Sequence, residues 1–395
     1  MRAELMRSKR LEKLPPYLFV EIDRLKSTFR EKGKRLLDLG IGDPDIGPPK
    51  ELLDSLKKAL DVATYHRYPP DQGLPCLIEA IRHWAAKQFD VNLDSKEILV
   101  TIGSKEAIGH LPLAVANEGD VILVPDPGYP VYRSSSVLSG AEYRTFPLNE
   151  ERGFLPDFTS FDEAIVKRAK ALILNYPNNP TSAIADKDDF VEAVEFVKGR
   201  EVLLVNDAAY GELTYDREFF PLFTIARDAG IPFIEFFSFS KTFSITGWRV
   251  GFAIGREDVI SSLARVKSNL DSGVFGAIQE AVAVTMEDHY DEVLASVKGA
   301  YRKRIDLLDS YLKDAHLSYR KPGGTFYFWI RVPVEMDSVR FCRMLIESEG
   351  VVATPGVGFG ENGEGYFRLS VTSDEETIAE AGEAFKKLSK NDWKL

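Results

Sequence analysis

Six short apolar runs, at 98–103, 121–126, 171–175, 202–207, 233–240 and 250–255, each close on a polar or turn residue. Helix-like stretches at 74–89, 105–116 and 187–198 lie between them. Continuous Val, Ile and Leu runs suit strands buried on both faces, and intervening helices supply the crossovers that parallel strands require. The pattern predicts an α/β fold with a mostly parallel sheet between helices. Near residue 275 the pattern changes. Val293, Val297, Tyr301, Ile305, Leu308 and Leu312 recur at three- and four-residue steps and describe a long amphipathic helix. Strands predicted at 325–332, 351–354 and 366–371, then a closing helix from about Asp374, lack regular crossovers and read as a smaller α+β unit. The expected division is an N-terminal arm, 1–45, joining the small domain; a large domain, 46–280; and a small C-terminal domain, 281–395.

Charge and composition narrow the function. Fifty Lys+Arg against 61 Asp+Glu give a formal charge of −11, which repels a phosphate backbone and argues against nucleic acid as a partner. No run approaches the roughly 18 apolar residues of a membrane span. Residues 1–14 are charged throughout, without the apolar core of a secretory signal, and the two cysteines cannot build a disulfide framework. The expectation is a cytoplasmic enzyme that touches neither membrane nor nucleic acid. The motif Gly358-Phe359-Gly360-Glu361-Asn362-Gly363 matches the G-x-G-x-x-G dinucleotide pattern, but that pattern needs a following helix, and Tyr366 to Ser370 alternate like a strand. Ser238 to Lys241 reads S-x-x-K without the companion S-D-N and K-T-G elements. The five histidines show no metal-ligand spacing, so no metal is expected.

The chemistry concentrates in 238–251. Lys241 follows an apolar strand, with Ser238 and Ser240 before it and Arg249 eight residues later. Apolar surroundings favour a neutral amine, while hydroxyls and a guanidinium suit a phosphate dianion. A lysine beside a phosphate cup is what pyridoxal 5′-phosphate requires. Upstream, Gly103-Ser104-Lys105 ends a predicted strand and opens a helix, a natural anion site.

Segment 238–251 resembles the active-site lysine motif of class I/II, fold type I pyridoxal-phosphate aminotransferases. Asn175-Tyr176-Pro177-Asn178-Asn179-Pro180-Thr181 resembles the family's N-P-x-N-P-T-G loop, Val205 to Tyr210 its aspartate-bearing strand end, and Tyr366 to Ser370 its arginine segment. The resemblance implies that Lys241 holds the cofactor and moves the substrate Cα proton. Asp207 would face the pyridine nitrogen, and Tyr210 and Asn179 the phenolic oxygen. Ser104, Lys105, Ser238, Ser240 and Arg249 would cup the phosphate, and Tyr129 would stack on the ring. Arg368 would clamp the α-carboxylate, and Gly42 would let substrate pass close to the backbone. Tyr68 would reach the neighbouring subunit's phosphate, which implies a homodimer with shared active sites.

The likeness is closest to LL-diaminopimelate aminotransferases, through Leu14-Pro15-Pro16-Tyr17-Leu18-Phe19, Leu39 to Asp45, Gly103 to Glu106 and Lys267 to Gly273. It implies that Tyr17 and Lys105 line the distal substrate pocket, with Tyr129 and Asn179 also contacting substrate and the loop around Asn269–Ser272 reaching the partner's site. The implied reaction interconverts LL-diaminopimelate plus 2-oxoglutarate and tetrahydrodipicolinate plus glutamate, on the route to lysine. The rivals are a broader aspartate or alanine aminotransferase on the same fold and, remotely, a non-catalytic pyridoxal-phosphate sensor. Two positions depart from the family pattern. Ser182 stands where glycine follows Pro-Thr, so the turn is expected to shift or to hold a serine at φ > 0. Asp71 stands where some members have a longer glutamate.

Overall fold

A computed structural model describes residues 8–14, 26, 29 and 35–393. After the short strand β1 (Leu37–Asp38), seven strands build the main sheet: β2 (Ile98–Thr101), β3 (Val121–Asp126), β4 (Glu142–Pro147), β5 (Ala169–Leu174), β6 (Leu203–Asp207), β7 (Phe233–Ser238) and β8 (Gly251–Gly255). Their order is β2-β8-β7-β6-β5-β3-β4. All run parallel except β8, which is antiparallel to both neighbours. The six predicted strands are all present. The sequence pattern missed β4, an edge strand buried mainly at Phe146, because a strand open on one side has no need of a continuous apolar run.

Side chains alternate along these strands between two cores. Leu99, Ile122, Ile173, Val205 and Ile234 pack on one face with helices Ser104–Val115 and Glu257–Leu270. Val100, Leu123, Leu172, Leu204 and Phe233 pack on the other with helices Pro75–Phe89, Lys187–Val197 and Gly276–Asp288. Burial on both faces is the reason these strands read as unbroken apolar runs.

The C-terminal part holds β9 (Tyr327–Arg331), β10 (Val351–Val352), β11 (Thr354–Pro355) and β12 (Tyr366–Ser370). Strands β11, β12 and β9 form an antiparallel sheet, and β1 pairs in parallel with β10, tying the N-terminal segment to this part. The predicted long helix spans Tyr290–Asp314, and each residue of its predicted apolar face is buried. That face serves two cores: Tyr290 and Val293 pack beneath the main sheet, whereas Val297, Tyr301, Ile305, Leu308 and Leu312 pack beneath the second. Asp374 caps the closing helix Glu375–Lys390 by accepting from the Thr377 N–H, the role its position predicts. Among the described residues no helix is long and apolar enough to cross a membrane.

Leu308 is fully buried in the second core. Leu308→Ala is expected to cost roughly 2–5 kcal/mol through lost transfer energy and a residual cavity, read from urea unfolding.

Candidate active site

The main sheet delivers its chemistry at one edge. Strands β2, β5, β6 and β7 end close to Ser104, Asn179, Asp207 and Lys241, and antiparallel β8 begins at the same edge just after Arg249. Loops at the carboxyl ends of parallel strands are where open α/β sheets form their crevices. A cavity of about 560 Å³ lies here, lined by Gly42, Ser104, Lys105, Tyr129, Asn179, Asp207, Tyr210, Ser238, Ser240, Lys241, Arg249 and Arg368.

Asp207 ends β6 with only 4% of its surface exposed. The Tyr132 hydroxyl donates to its Oδ2 at 2.8 Å and the Ala209 N–H to its Oδ1 at 3.2 Å. Burial pushes the carboxyl up to about 6, and these two donors oppose the rise. Asn175 braces the strand end by donating from Nδ2 to the Asp207 carbonyl at 2.6 Å and accepting from the Asn179 N–H at 2.9 Å.

Lys241 lies in the single helical turn Phe239–Thr242 that follows β7. Its Nζ donates to the Gly42 carbonyl at 3.0 Å and sits 5.3 Å from the Phe326 ring centre and 5.8 Å from that of Tyr210. Burial pulls the amine down to about 8; the nearby Asp43 carboxylate opposes this, and the Arg368 and Arg249 cations reinforce it. The arm strengthens this cover. Thr246 donates to Asp43 Oδ1 at 2.7 Å and Ser244 to the Ile46 carbonyl at 2.5 Å. Gly42 itself is explained by packing, since a Cβ there would collide with the Tyr327 hydroxyl.

Arg249, at φ 57°, points Nη1 toward Ser240 Oγ at 3.5 Å and donates to the Thr246 carbonyl at 2.7 Å. Its Nη2 donates to the Ile102 carbonyl at 3.3 Å, beside the start of helix Ser104–Val115. Arg368 rises from β12 with 3% exposure. It donates to Asn179 Oδ1 at 2.8 Å and to the Gly40 carbonyl at 2.9 Å, while its buried Nε has no hydrogen-bond partner among the described residues. The Tyr210 and Tyr327 hydroxyls bond at 2.8 Å.

Several expected residues lie elsewhere. Tyr17 falls outside the described residues. Tyr68 is 92% exposed and does not line the cavity of its own chain. Asp71 is exposed and also outside that lining. The Asn269–Ser272 loop is held through Lys267, whose buried Nζ meets Asp271 Oδ1 at 2.6 Å, the Ser272 carbonyl at 3.2 Å and Glu106 Oε2 at 3.3 Å. His110, one of the five histidines without metal-ligand spacing in sequence, stands 2.8 Å from Glu106 and 3.6 Å from Asp271, a cluster to which Lys267 brings an ammonium. Ser182 takes the positive φ, 60°, and its hydroxyl meets Thr325 Oγ1 and the Tyr327 carbonyl, each at 2.7 Å.

Sequence reasoning missed Tyr132 and Tyr327. Tyr132 stands three residues after Tyr129, at the start of helix Val131–Ser139, and that spacing was an available signal. Tyr327 has none, because its partner Tyr210 lies 117 positions away in the chain.

This donor set fits pyridoxal phosphate. Arg249, the hydroxyls of Ser104, Ser238 and Ser240, and a helix start suit a dianion. Asp207 offers a buried carboxylate to a cationic ring nitrogen, and Lys241 offers an amine to an aldehyde. A family model for aminotransferase class I and II matches residues 34–385. An LL-diaminopimelate aminotransferase of Aquifex aeolicus (strain VF5) is 43% identical over 96% of this chain and 98% of its own. The substrate-bound BacF structure from Bacillus subtilis superposes with a TM-score of 0.92 at 34% identity, covering 98% of both chains. The Thermus thermophilus aspartate aminotransferase with maleate gives 0.89 at 29% identity, over 97% of this chain and 100% of that one. The α/β arrangement is that of fold type I, and the chain belongs to the class I and II aminotransferases as a pyridoxal-phosphate-dependent enzyme that transfers amino groups.

Proposed function

We propose that the enzyme transfers an amino group between LL-diaminopimelate and 2-oxoglutarate, in lysine biosynthesis. The observation that carries the substrate is the 43% identity to an LL-diaminopimelate aminotransferase across nearly the whole of both chains. Lys105 supports it: exposed at the cavity wall, it offers a cation to a second, distal carboxylate.

Each residue has a distinct task in this reading. The bound cofactor supplies an electron sink for the charge left at Cα when its proton departs. Lys241 holds the cofactor and, as a neutral amine, takes the Cα proton at Nζ and returns it. Asp207 would hold the ring nitrogen, and a protonated nitrogen there would keep the carboxylate ionised by offsetting the burial that raises its pKa. Tyr132 and Ala209 fix the carboxylate's two oxygens. Tyr210 and Asn179 would serve the phenolic oxygen, and Tyr129 would offer its ring to the cofactor's. Arg249, Ser104, Ser238 and Ser240 would hold the phosphate. Arg368 grips the α-carboxylate and so aims the Cα–H bond. The division into a large domain, 46–280, and a small domain formed by 1–45 and 281–395 sets the cavity between them.

The functional unit in this reading is a cytoplasmic homodimer. Tyr68, Leu113, Leu270 and Phe275 are exposed, an apolar set that a second copy would cover while bringing Tyr68 to its phosphate site.

An absorbance titration of the holoenzyme tests the substrate. LL-diaminopimelate and glutamate should each convert the lysine-bound cofactor to its aminated form, and aspartate and alanine should not. Conversion by aspartate or alanine alone would move the substrate to the broader aminotransferase. Lys241→Ala should abolish turnover; retained transamination would remove its assigned role.

The lowered pKa of Lys241 gives a second test. Only the neutral amine attacks an aldehyde, so cofactor uptake by the apoenzyme should speed up about tenfold per pH unit below the pKa. Stopped-flow absorbance should show the rate levelling above about 8, whereas a lysine at its usual 10.5 would still be accelerating.

A further inference from the structure

The G-x-G-x-x-G segment has a use unrelated to nucleotides. It forms two short 3-10 turns, Gly356–Phe359 and Glu361–Gly363, shortly before β12. Here the segment docks on the carboxyl end of β3. The Phe359 carbonyl accepts from the Gly128 N–H at 2.9 Å and from Arg133 Nη2 at 3.1 Å. Asp126 Oδ1 accepts from the Asn362 N–H at 3.2 Å and pairs with Arg133 Nη2 at 3.2 Å. Gly360, at φ +136°, is pressed against this pair so closely that a Cβ would collide with both Arg133 Nη2 and Asp126 Oδ1. The Asp126 side chain is 4% exposed and that of Arg133 19%, so the bonds form largely out of water, where charge-assisted contacts are strong.

Phe359 links this dock to the site. Its ring, buried in the main core, lies 4.8 Å from the Arg368 guanidinium, which also sits 4.1 Å from the Tyr327 ring. A flat guanidinium held against aromatic rings has few orientations left. Arg133 also immediately follows Tyr132, the residue that steadies Asp207.

We infer that Asp126 and Arg133 form a latch that orients Arg368: they pin the Phe359–Asn362 turn to β3, and the pinned Phe359 fixes the guanidinium for the substrate carboxylate. Arg133 is therefore a positioning residue. This rests on the reading of Arg368 as the carboxylate clamp and adds to it a determinant outside the cavity.

The test is the single-turnover reaction of the holoenzyme with glutamate, followed by cofactor absorbance in Arg133→Leu, Arg368→Ala and the double variant. Arg133→Leu should raise the apparent Kd for glutamate about tenfold, lower the maximal rate by a smaller factor because the Cα–H bond is less well aimed, and leave pyridoxal-phosphate affinity unchanged. Added to Arg368→Ala it should cause no further loss, because residues acting through one contact are not additive. Independent, multiplying effects would overturn the latch. So would parallel losses of cofactor affinity and maximal rate, the signature of general loosening. A raised Kd in Arg368→Ala but not in Arg133→Leu would overturn the latch alone, whereas an unchanged Kd in Arg368→Ala would remove the clamp and the latch with it. Should Arg133→Leu fail to fold, Arg133→Gln keeps a neutral donor for the Phe359 carbonyl and loses the ion pair. It should raise Kd by a smaller factor, and no rise would overturn the proposal.

Discussion

A carboxylate out of water is the constraint around which this site is arranged. Asp207 ends a central strand and is almost wholly buried, which favours its neutral form unless donors or a cation compensate. The fold supplies one donor from the helix after β3, Tyr132, and one from the backbone immediately beyond, Ala209. In the proposed reading the remaining compensation comes from the cofactor's ring nitrogen. Protein and cofactor each then complete the other's electrostatics.

Lys241, half-buried, shows the same effect with the opposite charge. Taking an amine out of water favours the neutral form, which transamination uses. The two groups share one cavity but are buried by different parts of the chain. The main sheet encloses Asp207, whereas the arm at Gly42 and the aromatic Phe326, just ahead of β9, close over Lys241. The long helix Tyr290–Asp314 runs beneath both cores, so these two contributions rest on one continuous element.

Much of this was legible in the sequence because the information is local. Doubly buried strands produce unbroken apolar runs, and a phosphate cup beside a lysine needs hydroxyls and a cation within a short segment. Twelve of the fourteen residues named from the sequence line the cavity; Tyr68 is exposed and not part of that lining, and Tyr17 lies outside the described residues. What escaped is tertiary. Edge strand β4 carries little buried surface to betray it. The Tyr210–Tyr327 bond and the docking of the Phe359–Asn362 turn on Asp126 and Arg133 join segments far apart in sequence, and nothing near these residues signals the partner. Gly42 lines the cavity as expected, and its missing side chain also makes room for the Tyr327 hydroxyl, a contact no local signal shows.

The bond from Lys241 to the Gly42 carbonyl spans 199 positions of the chain. The arm leaves the ribosome long before the lysine does. Until the two meet, Lys241 is hydrated, protonated and a poor nucleophile. Its heightened reactivity therefore comes with completion of the fold, and a half-made or misassembled chain carries an amine no more reactive toward free aldehydes than any hydrated lysine.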